Sequence, residues 1–177
     1  MSKTGPLPRK GSLMYSVKHP EYERKALSRF KFFNKWFVVP LYRANILPTF
    51  GFGKLFVLIK TKGRKSGRTY YVPLEYRKKD GKILLFASRG KKSDWLKNIL
   101  ANPGAFEIKI GFKGFRKPKK IELIDDFERK FEILKYYVER YPGAAKELFG
   151  WDKKKDTPDI ETLKPIVELI EILSLEL

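Results

Sequence analysis

The sequence predicts an α+β domain, mainly β, built as a small antiparallel barrel with flanking helices. Roughly six short runs of alternating apolar and polar residues have the pattern of strands with one buried face. Glycine-containing turns separate these runs, and segments of helical periodicity stand between them. With 177 residues, 42% of them hydrophobic, the chain has the length of one domain with a sizeable core.

The N-terminal part is expected to be a tail followed by a helix. Residues 1–15 predict a flexible basic tail, and residues 16–177 form the single barrel domain. Within 20–46, apolar positions recur every three or four residues with cations between them, which indicates an amphipathic basic helix bent or ended near Pro40. The favoured interpretation is that this helix packs on the barrel, and the alternative is that it lies on anionic lipid.

The barrel core is predicted to span residues 54–124. Its strands are expected at 54–62, 69–78, 83–87, 106–112 and 115–124. A short helix over 94–100 is expected between the third and fourth strands, with Ser93 as its N-cap, because Asn102-Pro103 would end it.

Two further elements follow the core. Residues 125–142 predict an amphipathic helix that begins at the capping pair Asp125-Asp126. The segment 160–177 is left open between two structures. Its spaced apolar residues fit a helix, whereas Pro165 and the β-branched residues after it favour a final strand.

The positive charge of the chain is unevenly distributed. The net charge is +19, and residues 1–120 hold 30 Lys and Arg against 6 Asp and Glu. Residues 121–177 hold 9 against 14. The surplus predicts a positive surface for nucleic acid, an anionic membrane or a small acidic ligand, and a solubilising surface explains part of it.

Composition excludes several kinds of site. The chain has no cysteine and His19 is its single histidine, so no thiolate or multi-histidine metal site is expected.

No apolar run approaches the roughly 20 residues that span a bilayer. We therefore expect a cytoplasmic protein, with peripheral membrane contact left open. The absence of glutamine and the abundance of lysine favour an origin in a hot environment.

A basic glycine loop at residues 63–68 joins the first two predicted strands. Gly63 and Gly67 permit a tight turn. The side chains that could bind phosphate or carboxylate are Arg64, Lys65, Ser66 and Arg68. A second basic loop, 88–92, follows the third strand. If the first and third strands were neighbours, both loops would converge on one anion together with the N-terminus of the 94–100 helix.

Three stretches in this order resemble the deazaflavin-dependent nitroreductase family over about residues 37–141. They read GRKSGR at 63–68 followed by Val72-Pro73-Leu74, ASRG at 87–90 and DWLKNILANP at 94–103. The resemblance implies a split β-barrel related to FMN-binding oxidoreductases. It also implies binding of coenzyme F-420, an 8-hydroxy-5-deazaflavin with a phosphate and a polyglutamate tail. The implied activity is hydride transfer to a small organic acceptor.

The resemblance further implies roles for individual residues. The phosphate and the tail carboxylates would be held by Arg64, Lys65, Ser66 and Arg68. The deazaflavin ring would be lined by Pro73, Ala87, Ser88 and Arg89. The short helix would contribute packing and a hydrogen bond through Trp95 and Asn98. Ser88 is the candidate catalytic donor, with Tyr141 behind it.

Some features depart from the family, and two alternatives stay open. Gly143-Ala144-Ala145 follows Tyr141-Pro142, where quinone- and nitro-reducing relatives carry tyrosines, so a different acceptor pocket is expected. Arg89 stands where a lysine is often found, which keeps the charge and alters its geometry. FMN in the same fold is the alternative cofactor. A nucleic-acid-binding protein is the less favoured alternative, because no nucleic-acid motif is present. The sequence also leaves a homodimer open.

Overall fold

A computed structural model describes residues 5–19 and 34–177 of the chain. The strands are β1 Phe56–Lys62, β2 Thr69–Lys79, β3 Lys82–Ala87, β4 Glu107–Ile110, β5 Lys120–Ile124 and β6 Glu171–Glu176. The α-helices are Tyr15–Lys18, Val39–Arg43, Ile46–Thr49, Asp94–Ala101, Phe127–Arg140, Pro142–Phe149 and Ile160–Val167. A π-helical turn, Asn34–Val38, precedes the second of these.

The six strands form one sheet in the order β4-β1-β2-β3-β6-β5. β1 pairs antiparallel with both β2 and β4, and β2 pairs antiparallel with β3. The predicted fold class is confirmed as α+β with a mainly antiparallel sheet and flanking helices. β1 and β3 are not neighbours, because β2 lies between them.

Two predicted strands are shorter than expected, for local reasons. β4 ends at Ile110, since Gly111 has a φ of +56°, outside the extended region. β5 begins only at Lys120. Before it, Arg116 forms a single bridge with Ile108, and Pro118 has no N–H with which to extend a ladder.

The C-terminal segment contains both of the structures left open. Residues Ile160–Val167 are helical even though Pro165 lies inside the helix, and Glu171–Glu176 forms β6. The predicted helix over 125–142 is found at Phe127–Arg140, with the Asp126 carboxylate accepting a hydrogen bond from the Arg129 N–H at 2.8 Å. The helix that follows it at Pro142–Phe149 was not predicted.

The chain divides into two compact units. Unit 1 comprises residues 1–24, 87–92 and 123–172, and unit 2 comprises residues 25–86, 93–122 and 173–177. The core of unit 2 is formed by strand residues, the 94–101 helix and Phe106 just before β4, and it includes Val57, Leu58, Ile59, Leu85, Ile99 and Ile108. The core of unit 1 is helical and includes Met14, Leu134, Tyr137, Phe149, Leu163 and Ile166.

The described part of the N-terminal segment, residues 5–15, makes several contacts within unit 1. Met14 is fully buried in unit 1. The Arg9 guanidinium donates to both carboxylate oxygens of Asp156 at 2.6 Å, and to the Gly150 carbonyl at 2.7 Å. Within this glycine- and proline-rich segment, Arg9 and Met14 therefore have defined contacts with unit 1, whereas the flexibility expected for the tail stays a prediction.

The predicted basic helix over 20–46 lies for the most part outside the described residues, since 20–33 are not among them. In the described remainder, Pro40 is the second residue of the helix Val39–Arg43. A proline is tolerated there, because the first helical N–H groups have no partner within the helix. Over the described part of the chain, no helix has the length and apolarity to cross a membrane.

Candidate functional site

The basic loop 63–68 connects β1 to β2 in unit 2. The last paired residues are Lys62 and Thr69. Two backbone hydrogen bonds close the loop: the Gly63 N–H donates to the Arg68 carbonyl at 2.8 Å, and the Gly67 N–H donates to the Gly63 carbonyl at 2.9 Å. Gly67 has a φ of +64°, which favours glycine at this turn. The loop is therefore a closed hairpin tip of defined shape.

A second requirement for glycine exists at Gly63. A Cβ atom there would lie 2.6 Å from the Tyr70 ring and 2.7 Å from Ser66 Oγ. The Ser66 hydroxyl is 3.2 Å from the Tyr70 hydroxyl and accepts a hydrogen bond from the Arg68 N–H at 3.3 Å. The Ser66 hydroxyl thus stabilises the turn through Arg68, and the Tyr70 side chain packs against the loop at Gly63 and Ser66.

The basic loop is attached to the helix Asp94–Ala101 through Asn98. The Asn98 side-chain oxygen accepts from the Arg64 backbone N–H at 3.1 Å and from Arg64 Nη1 at 3.0 Å. Arg64 Nη2 also donates to Asp94 Oδ1 at 3.1 Å. Asn98 is buried, whereas Asp94 is exposed. One helix therefore fixes both the backbone and the guanidinium of Arg64.

The donor set of this loop has the chemistry that a polyanion needs. Arg64, Lys65, Ser66 and Arg68 are all exposed. The sequence has no Asp or Glu between Glu23 and Glu75, so the loop and both flanking strand segments carry only positive charge. Guanidinium and ammonium groups bind phosphate and carboxylate through charge-assisted hydrogen bonds. The residues present therefore fit a ligand with a phosphate and several carboxylates.

Two further predicted site residues lie in unit 2. Pro73 is in β2 opposite Leu58 of β1. Only Tyr76–Lys79 of β2 pairs with β3. Pro73 lies outside that stretch, so its missing N–H costs no hydrogen bond to β3. Trp95 is half-buried on the 94–101 helix. Ser93 occupies the N-cap position of that helix, but its side chain makes no capping hydrogen bond.

Ala87, Ser88 and Arg89 belong to unit 1. Ala87 and Ser88 are buried, and Arg89 is half-buried. Gly90 follows with a φ of +51°, and a Cβ atom there would lie 2.1 Å from the Leu169 carbonyl oxygen. This close approach of two backbones fixes the position of the Ser88 segment within unit 1.

Tyr141, the second catalytic candidate, also lies in unit 1, at the junction of two helices. It is the C-cap residue of Phe127–Arg140 and the N-cap residue of Pro142–Phe149. Its ring is 5.6 Å from the Tyr137 ring, and the Arg140 guanidinium lies 5.9 Å from its centre. The ring of Tyr141 is therefore held by aromatic and cation–π contacts.

The predicted site residues thus fall into two groups. In unit 2, Arg64 of the basic loop is in direct contact with Asn98 of the 94–101 helix. The same loop carries Lys65, Ser66 and Arg68, and Pro73 and Trp95 also lie in unit 2. Ala87, Ser88, Arg89 and Tyr141 are placed in unit 1.

Sequence reasoning missed two residues that hold the loop. Asp94 was interpreted only as the start of a helix, and Tyr70 only as part of a strand. The sequence did contain a signal for Asp94: it is the single acid between Asp80 and Glu107 in a basic region, and it lies four residues before Asn98, on the same helical face.

Three solved structures illustrate what the chain is similar to. An F420-H2 dependent reductase is 28% identical over 70% of this chain and 95% of its own, with a TM-score of 0.46. A domain-swapped dimer is 26% identical over 70% and 81%, with a TM-score of 0.44. A pyridoxamine 5'-phosphate oxidase-like protein from Listeria innocua is 11% identical over 68% and 82%, with a TM-score of 0.43. A comparison with curated proteins found no match.

The family model for F420H(2)-dependent quinone reductases matches residues 43–147. That span covers well over half of the chain and contains the basic loop, the Ser88 segment, the 94–101 helix and Tyr141. The resemblance to deazaflavin-dependent reductases is confirmed, and with it coenzyme F-420 as the cofactor. The chain belongs to the F420H(2)-dependent quinone reductase family and is a deazaflavin-dependent oxidoreductase.

Proposed function

We propose that the protein reduces a small organic acceptor by hydride transfer from reduced coenzyme F-420, with a quinone as the first candidate. Nitro compounds and activated C=C bonds are the other acceptors proposed. The observation that carries the proposal is the closed basic loop at 63–68, whose Arg64 is fixed by Asn98. A preorganised set of cations loses little freedom when an anion binds, which favours affinity.

The loop residues are proposed to bind and orient the coenzyme. Lys65 and Arg68 are exposed at the tip, and we assign the phosphate and the tail carboxylates to them together with Arg64. Ser66 is assigned to the same group, although its hydroxyl also supports the loop. Pro73, Ala87, Ser88, Arg89, Trp95 and Asn98 are proposed for the ring.

When bound, the coenzyme supplies the hydride. A hydride and one proton together convert a quinone to a hydroquinone, so the protein must also deliver a proton or stabilise the developing oxyanion. Ser88 is proposed as that donor, because it is a buried hydroxyl and the residue next to it in the sequence, Arg89, is a cation that would favour a developing negative charge nearby. Tyr141 is proposed as a second donor.

FMN stays an alternative because it carries a phosphate and a similar ring. It has no glutamate tail, however, and three cations at one loop are more than a single phosphate needs. We therefore expect tighter binding of the tailed deazaflavin than of FMN, and a steeper loss of its affinity with added salt.

The test is a fluorescence titration of the full chain with tailed F-420, a tailless deazaflavin phosphate and FMN, at low and high salt. Lys65→Ala and Arg68→Ala should each weaken tailed F-420 by about tenfold and leave the tailless form less affected. Lys117→Ala removes an exposed cation outside the loop and serves as the matched control. Equal affinity for the tailed and tailless forms would show that the loop does not bind the tail.

The acceptor is tested separately, by following oxidation of reduced F-420 with a quinone, a nitroarene and an enone. The quinone should be turned over fastest. Ser88→Ala should lower kcat more than it changes coenzyme affinity, because its proposed role is in the transition state. Turnover of all three acceptors at parental rates by this variant would exclude Ser88 as the donor.

A further inference from the structure

Unit 2 exposes large apolar side chains that the coenzyme site does not use. Four of them form what we term the apolar rim: Ile46 (45% exposed), Phe50 (76%), Leu55 (53%) and Phe112 (65%). A single exposed apolar residue is ordinary at a protein surface, but several aromatic and aliphatic side chains together indicate an interaction surface.

Backbone and buried contacts hold the two rim segments, 45–56 and 111–113, against each other. A Cβ atom at Gly53 would lie 2.5 Å from Gly111 Cα, so the two segments are in backbone contact at these glycines. The Tyr42 hydroxyl donates to the Phe56 carbonyl at 2.7 Å and accepts from the Gly111 N–H at 3.1 Å. Phe112, which follows Gly111, is therefore held beside the segment that carries Phe50 and Leu55.

A buried lysine makes the same connection from the other side. Lys109 Nζ donates to Asn45 Oδ1 at 2.8 Å and to the Lys113 carbonyl at 3.1 Å. Asn45 has a φ of +62°, a left-handed conformation that asparagine adopts more readily than most non-glycine residues. Through these two hydrogen bonds Lys109 links Asn45, which precedes Ile46, to Lys113, which follows Phe112. Buried contacts therefore hold the two rim segments in place.

The charge along the two rim segments of the sequence has one sign, and the nearby Glu75, opposite Phe56, is paired with Arg77. Lys54 and Lys113 are exposed and adjoin Leu55 and Phe112 in the sequence, and the exposed Arg43 precedes Ile46 by three residues. The sequence has no Asp or Glu within 24–74 or 108–121, the two stretches from which the rim is built. Aromatic and aliphatic side chains bordered by cations have the composition of surfaces that enter the headgroup region of anionic bilayers.

We propose that the apolar rim is a docking surface for anionic lipid bilayers. Phe50 and Phe112 would enter the headgroup and acyl boundary with Ile46 and Leu55 beside them. Arg43, Lys54 and Lys113 would contact lipid phosphates. Three of the four rim side chains, Phe50, Leu55 and Phe112, lie beyond the 20–46 segment considered from the sequence, and only Ile46 stands at its end. The inference stands independently of the coenzyme assignment.

The test is cosedimentation of the full chain with vesicles of mixed phosphatidylglycerol and phosphatidylcholine, and with pure phosphatidylcholine. The parent protein should bind the mixed vesicles more tightly, and salt should weaken the binding. F50S/F112S should lower the partition coefficient by at least about tenfold. K54Q/K113Q should weaken the preference for phosphatidylglycerol, since Arg43 remains.

Ile160→Ser is the matched control, since Ile160 is 48% exposed and lies in unit 1. It should bind vesicles as the parent does. Coenzyme titration and circular dichroism of each variant check the fold without depending on turnover. Failure of vesicle binding with intact coenzyme binding would overturn the docking proposal alone.

Two other results would also overturn the proposal. One is unchanged vesicle binding by F50S/F112S, which would place lipid contact elsewhere on the chain. The other is a parent protein that is dimeric by light scattering and does not bind vesicles, together with a monomeric F50S/F112S. That result would make the rim a contact between two copies of the chain.

Discussion

The side-chain oxygen of Asn98 lies 3.1 Å from the backbone nitrogen of Arg64 and 3.0 Å from its Nη1 atom. One buried acceptor thus fixes both where the basic loop begins and where its first guanidinium points. The motif asparagine that the resemblance assigns to the coenzyme therefore also holds the basic loop in place.

Asn98→Ala is expected to weaken F-420 binding by about 10- to 100-fold, the effect of about 1–3 kcal/mol for an unpaired buried donor. Arg64→Ala and the double variant complete a mutant cycle. If Asn98 acts through Arg64, the two losses should be clearly less than additive. Additive losses in the titration would mean that Asn98 contacts the coenzyme on its own.

Asp94→Asn is expected to strengthen F-420 binding by about two- to fivefold. The exposed Asp94 carboxylate pairs with Arg64 Nη2 at 3.1 Å, so it competes with an incoming anion for the same guanidinium. The gain is small because exposed ion pairs contribute about 0–1 kcal/mol. Asp80→Asn makes the same charge change at an exposed acid that pairs with Lys79 and serves as the control. The interpretation fails if both variants bind alike.

Asp156→Ala is expected to destabilise the protein by about 1–3 kcal/mol, because the Arg9 guanidinium loses both carboxylate hydrogen bonds and keeps only weaker carbonyl acceptors such as that of Gly150. The Asp156 side chain is fully buried, and its hydrogen bonds raise the pKa of Arg9. Removing residues 1–15 should also lower the free energy of unfolding, measured by urea denaturation. The exposed Asp125→Ala is the control. An unchanged urea midpoint after truncation would mean that the N-terminal segment contributes no stability.

The lowered pKa of Asp159 predicts that the free energy of unfolding falls in acid. The Thr157 hydroxyl and then the Thr162 N–H donate to its carboxylate and lower its pKa. Because the folded state binds this proton less tightly than the unfolded chain does, the contribution is complete above the unfolded pKa of about 4 and is lost as the pH falls through the lowered value.

The check on this prediction is urea unfolding of Asp159→Asn across the acid range. The variant keeps a capping oxygen and loses the titration, so its stability should depend less on pH than that of the parent. The expected difference near neutral pH is about 1 kcal/mol or less, since Asp159 is exposed. Identical pH profiles for the two proteins would remove Asp159 as the source.

Local patterns predicted the hairpin at the basic loop and the helix after it. The Gly63 and Gly67 positions specify the turn, and β1 and β2 begin and end within two residues of their predicted bounds. The resemblance named the candidate residues, and their roles at the ring and in catalysis stay predictions. So do a cytoplasmic location and an origin in a hot environment.

Features that depend on distant residues could not be predicted. Nothing in the sequence near Arg9 indicates that Asp156 is its partner, 147 positions away. The Asn98 contact with Arg64 likewise depends on how the helix lies on the sheet. The helix Pro142–Phe149 was missed because Tyr141-Pro142-Gly143 has the composition of a terminator, although a proline in the first turn also starts helices.

The place of β6 in the sheet has a consequence for how the molecule folds. β6 comes last among the strands in chain order, yet it lies between β3 and β5. Before β6 docks, β3 is paired only with β2, and β5 has no partner strand. Each therefore presents an unpaired strand edge to which another chain can bind. Contacts between segments so far apart in the chain form slowly. Capture of β6 should therefore be a late event, and the time before it is when the chain is most exposed to aggregation.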